Sequence, residues 1–234
     1  MKFKLIPLIL IGLLLGSIMA QEEAINPGME KDDSKDIKPG DIAPSWALMF
    51  EPGKFEFLRT WSEEDGKALR LRVSQPDRHV VLMSFFATWC QPCMKELPLL
   101  EEVYQKYLDE RIKFFLVDIT EATRTIPGNE NLPKAGPFLK EKGVTMQILY
   151  DTRGTVMKRY NAQTLPRLFL MDGNRKITIT RRGFHDGEEQ KFKNDLSVEI
   201  ESLISLPFVC LQPTGPLSLH LRWFGSPVSV PRLY

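Results

Sequence analysis

The stretch "FFATWCQPCMKELP", residues 85–98, constrains this chain more than any other. It closes the apolar run "HVVLMSFFA" (79–87), whose β-branched and aromatic content suits a strand covered on both faces. From residue 91 to about 108, Leu97, Leu100, Val103, Tyr104 and Tyr107 recur at helical spacing on one face. Cys90 and Cys93 therefore fall at a strand-to-helix turn. Pro92 lies in the first turn, where its missing N–H costs nothing, and Pro98 inside the helix predicts a kink.

Three uses compete for such a pair. Structural zinc usually needs four ligands, often two such pairs or a pair with two histidines. Besides the pair the chain offers only Cys210 and His79, His185 and His220, none with ligand spacing. Haem attachment through CxxCH fails because Met94 follows Cys93. A purely structural bridge explains little, since so short a loop removes little chain entropy. The redox use fits the physics. A helix N-terminus offers partial positive charge and free N–H groups, which favour a thiolate at Cys90. Cys93, one turn on, is placed to resolve a mixed disulfide, and Trp89 would shield the pair from water.

The rest of the chain sets the frame. With 234 residues and 43% hydrophobic content it can bury one sizeable core. A net charge of +1, from 31 basic and 30 acidic residues, gives no reason to expect nucleic acid as a partner. Residues 1–20 combine "MKFK", an uncharged apolar run and Ala20 before "QEE", the layout of a secretory signal peptide. The run is shorter than the roughly 20 residues that span a bilayer. Cleavage near Ala20 and an uncleaved N-terminal membrane anchor both remain open, and either puts the folded part outside the cytoplasm, in the periplasm or on the outer face of the membrane. Residues 21–39 read as a flexible linker and 40–205 as the folded domain. Residues 206–234, with five prolines and no Asp or Glu, read as a loosely ordered tail in which Cys210 is a bystander.

Within the domain, strands are expected at 46–50, 55–59 and 69–73, then at 79–87, 112–119 and 146–151. Helices are expected at 91–108, 134–142, 154–160 and 186–205. "RLFLMD" and "KITITR" should form a hairpin across a two-residue "GN" turn. This order describes an α/β sandwich.

"FFATWCQPCMKELPLL" resembles the thioredoxin-like thiol-disulfide oxidoreductases, and within them the exported TlpA/ResA/DsbE type. The resemblance runs from about residue 40 to 204 and includes "GDIAP" at the domain start and "TLPRLFLMDGNRKI". It implies a thioredoxin-like fold: a central mixed sheet with helices on both faces and an N-terminal β extension. It also implies dithiol–disulfide exchange in which Cys90 attacks and Cys93 resolves. Pro166, in Leu165-Pro166, matches the cis-proline that faces the two sulfurs. Its open backbone neighbours would pair with a substrate chain, as would Trp89, Pro92, Leu165 and Arg167. Where thioredoxin has a buried Asp in the strand before the motif, this chain has Ser84, which cannot titrate. Glu96, one helical turn after Cys93, is the carboxylate expected to exchange protons with the cysteines, the alternative being a solvated surface glutamate. Arg167 stands where the family often has Thr, so it either serves thiolate or acidic substrate, or points to solvent.

By the same resemblance no cofactor is needed. The partners would be proteins with cysteine pairs, for instance apocytochrome c, and a membrane-embedded thiol electron donor, with net reduction as the direction. Two alternatives stay open: a peroxide-reducing enzyme on the same fold, and a non-catalytic binding protein with a static disulfide.

Overall fold

The structure is a computed structural model that describes residues 36–70 and 77–205. A hairpin opens it, Ala47–Glu51 (β1) with Lys54–Phe57 (β2). Then come Val80–Phe86 (β3), the helix Gln91–Lys106 (α1), Ile112–Asp118 (β4), Ala135–Glu141 (α2), Gln147–Tyr150 (β5) and Thr155–Arg159 (α3). A second hairpin, Arg167–Met171 (β6) and Ile177–Arg182 (β7), leads to the last helix, Glu189–Ser205 (α4). One mixed sheet holds all seven strands in the order β2-β1-β5-β4-β3-β6-β7. The three central strands run parallel, and β6 lies antiparallel beside β3. This is the thioredoxin-like arrangement, with β1–β2 as the N-terminal β extension.

Side chains alternate across the sheet and so define its two faces. Ser84 and Phe114 look toward α1, where Phe114 meets the ring of Tyr104. Helix α4 packs beside α1, and Tyr107 Oη donates to Glu201 across the two helices. On the other face Phe85, Phe169 and Tyr160, at the end of α3, form one aromatic cluster, with Trp46 edge-on to Phe115 nearby. Every residue of β3 is buried, so its near-continuous apolar run is what a strand covered on both faces requires.

The chain departs from the sequence expectation in three places. The strand expected at 55–59 stops at Phe57, and Leu58–Thr60 turns into a 3-10 helix. Leu58 and Thr60 are buried there, and Leu58 N–H bonds back to the Trp46 carbonyl. Of the strand expected at 69–73, Leu69 and Arg70 are irregular and the remainder lies outside the described residues. The third departure is in the β6–β7 turn, whereas α1 contains Pro98, as expected, on its exposed side. Gly173 and Asn174 are not left-handed as a two-residue hairpin turn with these residues would demand. Instead Arg175 N–H bonds to the Asp172 carbonyl, and Arg175 itself takes a left-handed φ of 64°.

The folded unit also begins before residue 40. Ile37 is buried in the core, and Asp36 accepts hydrogen bonds from Arg167 and Arg182, so residues 36–39 are part of the domain rather than of a linker. The signal or anchor segment 1–20, linker residues 21–35 and the tail 206–234 with Cys210 lie outside the described residues.

Candidate active site

Strand β3 ends at Phe86, and a tight turn carries the chain to α1. Cys90 N–H bonds to the Ala87 carbonyl, and Cys90 then caps the helix with extended backbone. Its Sγ accepts a hydrogen bond of 3.2 Å from the Cys93 N–H, one of the donors a helix start leaves free. Cys90 and Cys93 are joined as a disulfide with their Cα atoms 5.3 Å apart. Both are enclosed, at 0% and 1% exposure. Pro92 is the second helical residue, where no N–H is called for.

Glu96 lies on the inner face of α1 with Cys93 and Leu97, and is 1% exposed. That excludes a solvated surface glutamate. Its Oε1 accepts a 2.8 Å hydrogen bond from the Ser84 hydroxyl of β3. Burial pushes the carboxyl up to about 7, with the Ser84 bond and the more distant Arg181 pulling it back.

The turn before Cys90 is pinned by residues that the sequence alone did not single out. Thr88 N–H donates to Thr120 Oγ1, and Thr120 donates both its N–H and its hydroxyl to Asp118 Oδ1. Trp89 Nε1 donates to Thr123 Oγ1 at 2.9 Å, and Thr123 in turn donates to the Thr120 carbonyl. Burial raises the Asp118 carboxyl above the usual range, with the two Thr120 bonds opposing. The signal was there: "DIT" at a strand end is a side-chain-to-backbone turn, and it follows the strand that pairs with β3. Trp89, half-buried, thus has its indole fixed to the neighbouring loop.

Leu165-Pro166 is a cis peptide. Arg167 pairs with Phe85 in the sheet, so Pro166 lies at the end of β6 adjoining the end of β3 from which Cys90 emerges. Leu165 is buried, and the Pro166 carbonyl accepts from Gly183 N–H, so that carbonyl is not an open group for a bound peptide. Arg167 does not point to solvent. Its side chain is 4% exposed, bonds to Asp36 Oδ1 at 3.1 Å and stacks on the Phe169 ring at 4.7 Å. Being on the Phe85 face, it lies across the sheet from Glu96. Among the described residues no three His, Cys, Asp or Glu side chains converge to hold a metal ion.

The fold and a cysteine pair at this position define a class. Residues 38–196 match the Redoxin family model, and the chain belongs to that family. Among curated proteins it is similar to sporulation thiol-disulfide oxidoreductase A of Bacillus subtilis, at 28% identity over 110 residues, which is 47% of this chain and 63% of that protein. It is equally similar, 28% over 109 residues, to the thiol-disulfide oxidoreductase ResA of Bacillus thuringiensis subsp. konkukian, covering 47% of this chain and 58% of that one. The match thus spans about three fifths of the length of these relatives. A solved structure from Chlorobium tepidum, provisionally assigned as a thiol:disulfide interchange protein DsbE, superposes with a TM-score of 0.53. At 22% identity over 70% of this chain and 99% of that one, it attests the thioredoxin-like fold.

Proposed function

We propose that the protein is an extracytoplasmic thiol-disulfide oxidoreductase that reduces disulfides in other proteins. The observation that carries this reading is the Cys90–Cys93 disulfide at the start of α1, with the Cys93 N–H directed at Cys90 Sγ. In the reduced protein the same N–H and helix dipole favour a thiolate at Cys90. That thiolate attacks a substrate disulfide, forming a mixed disulfide and releasing one substrate thiolate. Cys93 gives up its proton to the Glu96 carboxylate and attacks Cys90 Sγ. The Cys90–Cys93 bond closes, and the second substrate thiolate leaves. Two electrons have passed to the substrate, and its thiolates take up two protons, one of them from Glu96. A carboxyl held near 7 can both accept and return a proton at neutral pH.

Of the residues expected to dock substrate, Trp89 and Pro92 are part-exposed beside Cys90 and would meet it, whereas Leu165 and Pro166 are buried. The N-terminal pattern of basic, apolar and small residues supports export, by cleavage or as an anchor. Reductive direction, an apocytochrome c substrate and a membrane thiol donor extend this reading by resemblance to the TlpA/ResA/DsbE type.

The test is trapping and turnover. Cys93→Ser should accumulate mixed disulfides with substrate through Cys90, whereas Cys90→Ser should accumulate none, and wild type should reduce insulin with an external dithiol. Equal trapping by both variants removes the assigned division of labour. A second reading, a binding protein with a static bridge, draws on the enclosure of both sulfurs. A wild-type protein inert toward insulin would favour it.

A further inference from the structure

Strand β3, "VVLMSFF", contains a single polar side chain, Ser84, buried to 1% exposure. Its partners across the sheet are Leu116 of β4 and Leu168 of β6, neither of which can satisfy a hydroxyl. A hydroxyl buried in apolar surroundings is costly unless it bonds. The bond it makes goes to the Glu96 carboxyl.

We infer that Ser84 is a positioning residue of the redox site: its hydroxyl holds the Glu96 carboxyl against β3, one helical turn from Cys93, and favours the ionised form. The contact stands on geometry. Its use in catalysis rests on the proposed proton exchange between Glu96 and the cysteines. Strand and helix then act together on one proton, the helix supplying the acid and the strand the donor that fixes it.

The charged groups around Glu96 leave that role to Ser84. From β7, Arg181 acts at a distance, its guanidinium bonded to Asp195 of α4, which also holds Lys191. On α1 itself Lys95 is turned outward to Asp186 in the loop before α4. In the oxidised protein the two sulfurs carry no charge. Replacing Ser84 by Ala removes a donor to the carboxylate, so the neutral carboxyl is favoured and its titration moves to higher pH. Ser84→Thr keeps the hydroxyl and should restore the wild-type behaviour.

The test is a carbon-13 NMR titration of glutamate carboxyls in the oxidised protein, with Glu96 assigned by its loss in Glu96→Gln. A hydrogen bond to a charged acceptor is worth a shift of about one pH unit, upward in Ser84→Ala and reversed in Ser84→Thr. In the reduced protein, the pH profile of Cys90 alkylation by iodoacetamide should move with it. An unchanged Glu96 midpoint in folded Ser84→Ala overturns the inference. A moved midpoint with an unmoved alkylation profile upholds the Ser84–Glu96 coupling and removes instead the proton-exchange role of Glu96.

Discussion

Glu96 is the residue on which chemistry and folding meet most directly. Its carboxyl is enclosed on the inner face of α1, held by one hydroxyl and poised at about 7. Gln has the same shape but no ionisation, so Glu96→Gln isolates the proton from the packing. We predict that this variant folds and that its insulin reduction at neutral pH falls about a hundredfold, the lower end for loss of a general acid–base group. The activity profile from about pH 5.5 to 8.5 should also lose its inflection near 7. Rates that match wild type across that range would leave Glu96 without a catalytic part. The spacing of Glu96 from Cys93 was legible, because helical periodicity places it on the side of the pair. Its depth was not legible, since burial is set by how α1 packs on the sheet, with Ser84 of β3 as its partner, and not by spacing along one helix. Arg167 shows the converse: its position after Pro166 was plain in the sequence, but its burial follows from Asp36, 131 positions away.

At the scale of elements, the β6–β7 turn shows why local turn chemistry can be overruled. "GN" between two apolar runs has the chemistry of a tight hairpin. The chain instead forms a wider turn, because the Arg175 side chain is drawn inward. There it bonds to Glu63 at 2.6 Å and to the Ala43 carbonyl through Nε and Nη2, while Ser62 Oγ accepts from Arg175 N–H. The partner Glu63 lies 112 positions away, beyond any window of local pattern. By contrast β3, α1 and β4 were legible almost to their ends. A strand covered on both faces and an amphipathic helix each write their environment into consecutive residues. Arg175 ties the N-terminal segment and the loop after β2 to the β6–β7 hairpin. Arg175→Ala leaves buried Glu63 with the Glu64 N–H and, among the described residues, Arg59 as its one remaining cation, and should lower stability by about 3 kcal/mol in urea unfolding. Arg175→Gly relieves the left-handed backbone yet loses the same ion pair. It should recover only about 1 kcal/mol of that loss. A Gly variant as stable as wild type would show that backbone strain, not the ion pair, governs the turn.

For the whole molecule, the carboxyls divide into two sets with opposite consequences for stability. Burial acts to raise Glu63, but bonds from the Glu64 N–H, Arg175 and Arg59 outweigh it and hold the carboxyl below its usual range. A lowered carboxyl stabilises the fold above its unfolded value of 4.5, and that contribution is lost as pH falls through the folded value. Glu96, Asp118 and Asp151 go the other way, all raised chiefly by burial, although Asp151 is opposed by the backbone N–H groups it caps at the start of α3. The folded state then binds the proton more tightly than the unfolded chain does. Stability from Glu96 is full below pH 4.5 and declines as pH rises toward 7. At about 1.4 kcal/mol per pH unit this loss reaches about 3 kcal/mol, comparable with the Arg175 network. On the Glu96 contribution alone, the oxidised protein loses stability as pH rises from weak acid toward 7, opposed in part by His79, whose imidazole is lowered chiefly by burial. Melting by circular dichroism from about pH 4 to 8 should show Tm falling toward neutrality. Glu96→Gln should flatten that fall and be the more stable protein at the alkaline end. A wild-type Tm that climbs steadily through neutral pH, or a variant with the same slope, would refute the assignment. The bond from Ser84 gives this carboxyl one partner in the core, and the proposed proton exchange with the cysteines would account for keeping it where its ionisation weakens the fold.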